Sequence, residues 1–143
     1  MKIFIATDHA GVEIKPQVIE MLVDLGYEDV VDLGPSDNSR VDYTDFAHKL
    51  CENVLANEGS QGVLICGTGI GMSLSANKHK GIRAALCHDA YTASMARAHN
   101  DANVLCFGQR VVGLGTIESI LKAWKTTKFE GGRHAQRVAK IEI

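Results

Sequence analysis

Five short apolar runs punctuate the chain, and between them apolar residues recur at helical rather than alternating spacing. The first run, Lys2 to Thr7 (KIFIAT), predicts a strand that ends on Asp8-His9 and then Ala10-Gly11. Val12, Ile14, Val18, Ile19, Met21, Leu22 and Leu25 predict a helix, with Pro16 in its first turn and Gly26 as its stop. Val30 to Leu33 is a second short strand. The turn formers of Gly34 to Asp42 (GPSDNSRVD) predict a loop, and Phe46, Leu50, Val54 and Leu55 restore helical periodicity over Tyr43 to Asn57. The third run, Val63 to Ile65, has no polar position, as expected of a parallel strand covered on both faces. Met72 to Asn77 reads as helix, Ile82 to Leu86 as strand four, Ala90 to Ala98 as helix and Val104 to Phe107 as strand five. Two helices close the chain, roughly Thr116 to Thr126 and Arg133 to Ile141, separated by Phe129-Glu130-Gly131-Gly132.

Strands alternating with helices, with no internal repeat and no low-complexity linker, predict one α/β domain over residues 1–143. The expected architecture is a three-layer Rossmann-like sandwich around a five-stranded parallel sheet of order 2-1-3-4-5. In that order the winding reverses between strands one and three, and ligands bind outside the carboxyl ends of the strands at that crevice. Asp8-His9 leaves strand one there, beside whatever leaves strand three.

What leaves strand three is the stretch with the most chemistry in it, Val63 to Lys78 (VLICGTGIGMSLSANK). Gly67, Gly69 and Gly71 alternate with Thr68 and Ile70 just where a helix begins, so several backbone N–H groups can turn toward one anion. Cys66 sits at the mouth of that loop, where the helix dipole and the N–H groups favour a thiolate that acts as base or nucleophile. The plain alternative is a buried cysteine and a glycine turn joining strand to helix. The spacing fits neither GxxxxGK[ST] nor GxGxxG, there is no CxxC, and Met72 stands where a phosphate-cradling cysteine loop needs arginine.

Composition narrows the partners. With 15 Lys and Arg against 17 Asp and Glu, the net charge of −2 gives no bulk electrostatic case for nucleic acid. No 18-residue apolar run exists, and Met1-Lys2 leads straight into a strand, so a cytoplasmic protein without a membrane partner is expected. Cys51, Cys66, Cys87 and Cys106 are too widely spaced for a zinc site or a small disulfide scaffold, which leaves three of them as core thiols. Arg133 and Arg137 are four apart and project from one helical face, with His134 beside them and Gly131-Gly132 allowing close backbone approach. Two parallel arginines suit a phosphate dianion, and Arg110, after strand five, is a candidate third. Otherwise they form a solvated basic face.

These residues resemble a known family, that of ribose-5-phosphate isomerase B and the galactose-6-phosphate isomerase subunits. The likeness runs nearly end to end. It covers Asp8-His9, Arg40-Val41-Asp42-Tyr43, Ile65 to Gly71 (ICGTGIG), Ala76-Asn77-Lys78, Gly81-Ile82-Arg83-Ala84, His99 to Leu105 (HNDANVL) and Glu130 to His134 (EGGRH). A branch of the family resembling this chain lacks the cysteine and carries a glutamate after the last loop glycine. Here Cys66 is present and Met72 fills that place, so the cysteine branch is matched.

The resemblance implies interconversion of an aldose phosphate and its ketose phosphate, with ribose 5-phosphate and ribulose 5-phosphate the first expectation and no metal or other cofactor. Cys66 is then the base, with the Thr68 hydroxyl close enough in sequence to hydrogen-bond it. The N–H groups of Gly67, Thr68, Gly69, Ile70 and Gly71 hold the enediolate oxygen. By resemblance His99 opens the sugar ring, Asp8 handles hydroxyl protons, and His9, Asn100, Arg110, Arg133 and Arg137 bind the substrate or its phosphate. Galactose 6-phosphate or allose 6-phosphate is the alternative substrate. A non-catalytic phosphosugar sensor would have no use for Cys66 with His99, and a thiol phosphatase lacks its arginine.

Strand polarity adds an expectation about assembly. Cys66 ends strand three, whereas His99-Asn100 precedes strand five and belongs at its amino end. A five-residue strand spans about 16 Å at ~3.3 Å per residue, too far for a histidine to cross. A homodimer with shared active sites is therefore expected, whether or not dimers pair further into a tetramer.

Overall fold

The five apolar runs become the strands of one parallel sheet. In the computed structural model, which describes residues 1–143, they are β1 (Lys2–Thr7), β2 (Asp29–Asp32), β3 (Gln61–Cys66), β4 (Ala84–Leu86) and β5 (Val104–Gly108). The helices between and after them are α1 (Lys15–Asp24), α2 (Tyr43–Ala56), α3 (Ile70–Ala76), α4 (Ala90–Asn100), α5 (Leu114–Thr126) and α6 (Arg133–Ala139). Pro16 lies in the first turn of α1, where its missing N–H costs nothing. Strand β4 starts two residues later than expected from Ile82, and α6 ends two residues before Ile141.

All pairings are parallel, but the sheet order is β2-β1-β3-β5-β4 and not the expected 2-1-3-4-5. Burial explains the exchange of the last two strands. Every residue of β5 (VLCFG) is buried, so this strand needs cover on both faces and a neighbour on both edges. The three residues of β4 (AAL) are only half-buried and make a short edge strand, a place where little backbone is left open.

Right-handed crossovers then fix the layers. Connections that run one way across the sheet carry α1 and α4 to one face. Those that run the other way carry α2 and α3 to the opposite face. The first face is packed by Val18 and Leu22 of α1, Ala93 and Ala96 of α4, and Ile117, Ile120, Leu121 and Trp124 of α5. The second is packed by Ala47, Leu50, Cys51 and Val54 of α2 with Met72 and Ala76 of α3. At the amino end of β3, the buried Gln61 accepts hydrogen bonds from Tyr27 Oη (2.7 Å) and Trp124 Nε1 (3.1 Å), joining sheet to helix layer. No helix is long and apolar enough to cross a membrane.

The revised order bears on the site. Strand β3 feeds α3 on one face, while its neighbours β1 and β5 feed α1 and α5 on the other. The winding therefore reverses on both sides of β3, and the loop after Cys66 opens at the carboxyl rim between two crevices rather than beside one.

Candidate active site

Two separate clusters hold the residues singled out in the sequence, one on each rim of the sheet. At the carboxyl rim, Thr7 pairs with Ile65 and Cys66 with Gly108, so the ends of β1, β3 and β5 lie side by side. Asp8 is buried there. Its backbone N–H donates to the Ile65 carbonyl (3.1 Å), and its Oδ1 accepts from the N–H groups of Ala10 (2.9 Å) and Gly11 (3.2 Å). This is a turn of its own and not the cap of α1, whose N-cap is Ile14. His9 Nδ1 accepts from the Val41 N–H (3.2 Å), which leaves the proton of a neutral ring on Nε2. The Gly34 to Asp42 loop is thus tied to β1 at the histidine, a link that no periodicity in the sequence signals.

Cys66, at 5% exposure, sits under its own loop. Gly69 takes φ +81°, and that left-handed residue turns its N–H back onto the Cys66 sulfur at 3.1 Å. A Cβ at Gly69 would lie 2.8 Å from the Phe107 backbone, so the loop is pressed against β5. The expected hydroxyl contact is absent. The Thr68 hydroxyl accepts from the Ile70 N–H (3.2 Å), and the sulfur's donor is the Gly69 amide. Two of the five loop N–H groups are therefore engaged inside the loop. Those of Gly67, Thr68 and Gly71 take no backbone acceptor.

Burial pushes Cys51 up to about 12 and Cys87 up to about 11, and it holds Cys106 well above its ordinary value. Those three are core residues, as the sequence suggested.

Arg110 joins the carboxyl cluster. Its N–H donates to the Gly67 carbonyl (3.0 Å), and its Nη1 lies 3.0 Å from where a Gly67 Cβ would be. An open cleft of about 640 Å³ at this rim is lined by His9, Ala10, Asp37, Asn38, Gln109 and Arg110, among others. Its walls carry both an imidazole and a guanidinium, though Cys66 is not among them. On the far side of the loop, a Cβ at Gly71 would meet the Tyr43 ring at 2.6 Å. The Tyr43 ring therefore packs directly against the loop at Gly71. The sequence reading gave it no role, because its position depends on where α2 begins relative to the loop.

The second cluster lies at the amino rim. Asn103 accepts from the Gly62 N–H (2.9 Å), and Val104 is level with Gly62, four residues below the level of Cys66. That is about 13 Å along the sheet at ~3.3 Å per residue. His99 and Asn100 form the last turn of α4 just before this point. Glu130 N–H donates to the Ala98 carbonyl (3.0 Å), which fixes the start of α6 against the end of α4. Arg133 and Arg137 of α6 are exposed at this rim. Gly131 and Gly132 take φ +66° and +54°, and a Cβ on either would meet nothing within 4 Å. They are needed for a left-handed turn that folds α6 back, not for the close backbone approach expected from the sequence.

So Asp8, His9, the Cys66 to Gly71 loop and Arg110 are brought together, while His99, Asn100, Arg133 and Arg137 are gathered at the opposite rim of the same chain.

Residues 3–141 match the Ribose/Galactose Isomerase family. Ribose-5-phosphate isomerase B of Escherichia coli is 46% identical over 140 residues, covering 98% of this chain and 93% of that one. Among solved structures, the type B ribose 5-phosphate isomerase of Trypanosoma brucei superposes with a TM-score of 0.95 at 45% identity, covering 98% of this chain and 95% of that one. Ribose-5-phosphate isomerase B of Clostridium thermocellum superposes with a TM-score of 0.94 at 49% identity, covering 99% and 95%.

Proposed function

The chain belongs to the ribose/galactose isomerase family, and from that premise we propose that it interconverts ribose 5-phosphate and ribulose 5-phosphate through an enediolate, with Cys66 as the base. The carbonyl moves from C1 to C2 when a base lifts the C2 proton, the oxygens exchange theirs, and the proton returns at C1. His99 opens the furanose. The Cys66 thiolate takes the C2 proton, and Asp8 relays hydroxyl protons through the carboxylate oxygen that Ala10 and Gly11 leave free. The N–H groups of Gly67, Thr68 and Gly71 face the developing oxyanion, a contribution of roughly 3 kcal/mol per well-placed donor. His9, through its Nε2–H, joins Asn100, Arg110, Arg133 and Arg137 on the sugar and its phosphate. No step is assigned to a metal.

The single observation that carries this reading is the Gly69 N–H on the Cys66 sulfur, at the mouth of a strand where the reaction needs a base. No loop N–H donates to any of the other three thiols. The division of residues between two rims supports a further part of the reading: two copies of the chain build each site. One supplies Cys66, Asp8, His9 and Arg110, and its partner supplies the residues gathered around His99. A homodimer with two shared sites is the smallest closed assembly that does this.

The test is Cys66→Ser, assayed by ketose formation and by exchange of the C2 proton with solvent. A hydroxyl is a far weaker base, so both should vanish while the affinity for ribose 5-phosphate stays within a few-fold. A mutant that keeps most of its turnover would return Cys66 to the core. Running wild type beside it on allose 6-phosphate and galactose 6-phosphate fixes the sugar length, and equal rates on all three would remove the five-carbon assignment.

A further inference from the structure

Around His99 the structure holds more than ring opening by a single imidazole requires. The imidazole of His134 stacks on that of His99, with ring centroids 4.2 Å apart and planes within 12° of parallel. One oxygen of Glu130 faces both rings, 3.7 Å from His99 Nε2 and 3.4 Å from His134 Nε2. We propose that Glu130 and His134 are positioning residues that fix the ring plane and presented edge of His99 for opening the sugar ring. This rests on the reading of His99 as the ring-opening group.

Three features point this way. His134 is buried, and a leucine would fill the same space without bringing polar nitrogens out of water. A histidine that stays there is using its ring edge, and the group at that edge is Glu130. The backbone has also been arranged to bring the three together. Glu130 is anchored to Ala98, one residue before His99, and the two left-handed glycines turn the chain so that His134 returns beneath His99. Finally, the simpler tasks for this carboxylate are not performed. No side chain caps the first turn of α6, so Glu130 is not serving that helix's free amides.

Nor is this the geometry of a metal site, although the three ligand atoms lie within 4.8 Å of one another. In-plane lone pairs of two parallel stacked rings run side by side and do not meet at one point, so an ion bound to both nitrogens would sit far out of each ring plane. Stacking instead restricts rotation of the His99 ring about its Cβ–Cγ bond. Ring opening needs that restriction. The anomeric hydroxyl gives up its proton, the C1–O4 bond breaks and C1 becomes a carbonyl, while O4 takes a proton from an acid that must lie along its lone pair. Loss of such alignment by an ångström can cost about a hundredfold.

The predicted signature is confined to ring opening. Ribose 5-phosphate is assayed beside 4-deoxyribose 5-phosphate, which has the same length but lacks the hydroxyl that closes the ring. On the first substrate, Glu130→Gln and His134→Leu should each lower kcat by about tenfold or more with KM within about twofold. On the second, both should stay within about twofold of wild type. His134→Phe, which keeps a flat ring against His99, should recover most of the loss. Equal falls on both substrates, or none on either, would overturn the proposal. His99→Ala is the control for the reading beneath it. If that variant loses both substrates equally, the ring-opening role of His99 fails. If it is selective while Glu130→Gln and His134→Leu are not, only the positioning proposal fails. Glu130 is exposed, so its variant folds regardless of how His134→Leu behaves.

Discussion

Mixing two inactive variants tests whether each site is shared between chains. Cys66→Ala removes the proposed base at the carboxyl rim and His99→Ala removes the proposed ring-opening group at the amino rim, so in the proposed shared-site dimer neither variant alone retains an intact site. Register sets how far apart these defects lie. Cys66 is level with Gly108, and Val104, which His99 precedes by five residues, is level with Gly62. The offset along the sheet is about 13 Å at ~3.3 Å per residue, before the thickness of the helix layer is added. A histidine side chain reaches less than half of that. If the variants are dissociated, mixed in equal amounts and reassociated at random, half the dimers are mixed. Each mixed dimer pairs one wild-type His99 with one wild-type Cys66 at one of its two sites, so about a quarter of wild-type activity should return. The assay is ketose formation, with subunit exchange checked by mass-tagging one variant. No recovery despite proven exchange would refute the polarity argument and place both residues in the service of one chain.

Other outcomes follow from the same geometry. Arg137→Ala should raise KM for ribose 5-phosphate by roughly ten- to a hundredfold, the equivalent of a charge-assisted hydrogen bond of about 1.5–3 kcal/mol, with competition by free phosphate weakened in step. An unchanged KM would make it a solvated surface arginine. Thiol alkylation at pH 8 followed by peptide mapping should leave Cys51, Cys87 and Cys106 unmodified in the folded protein, since burial holds Cys51 up to about 12 and Cys87 up to about 11 and Cys106 higher than its ordinary value. Rapid labelling of any of these three would contradict their place in the core. Gln61→Leu strips the acceptor from Tyr27 and Trp124 at once, and with about 1–3 kcal/mol for each orphaned donor the denaturation midpoint should fall by the equivalent of roughly 2–6 kcal/mol. An unmoved midpoint would show that both donors find other partners.

How much of this the sequence disclosed depends on the range of the interaction involved. Strand and helix positions were legible because Ile3 to Ile5, Val63 to Ile65 and Val104 to Phe107 carry their burial in their own side chains. The meeting of Asp8 with the Cys66 loop was legible too, because parallel topology brings the carboxyl ends of neighbouring strands together. Strand order was not, since nothing in Ala84 to Leu86 states which strand it will pair with. Its half-buried character, set against the fully buried VLCFG, belongs to the folded sheet and only there marks it as an edge strand. Loop contacts failed for another reason. Thr68 is near Cys66 in sequence, but the left-handed turn at Gly69 sends an amide to the sulfur and leaves the hydroxyl to Ile70. The glycine pair at 131 and 132 stands out in the sequence, yet its purpose depends on φ, which the letters do not carry.

The position of β5 between β3 and β4 has a consequence for the chain as it is made. Strand β4 leaves the ribosome first, yet its only strand partner is β5, so it has nothing to pair with until residues 104–108 follow. Until then β3, every residue of which is destined for the interior, stands as an open edge of apolar side chains and unpaired backbone. The nascent chain therefore passes through a state in which β2, β1 and β3 can assemble but the sheet cannot close, and that open edge is the most exposed template for mispairing with another copy. The last strand to be synthesised is the one that closes it.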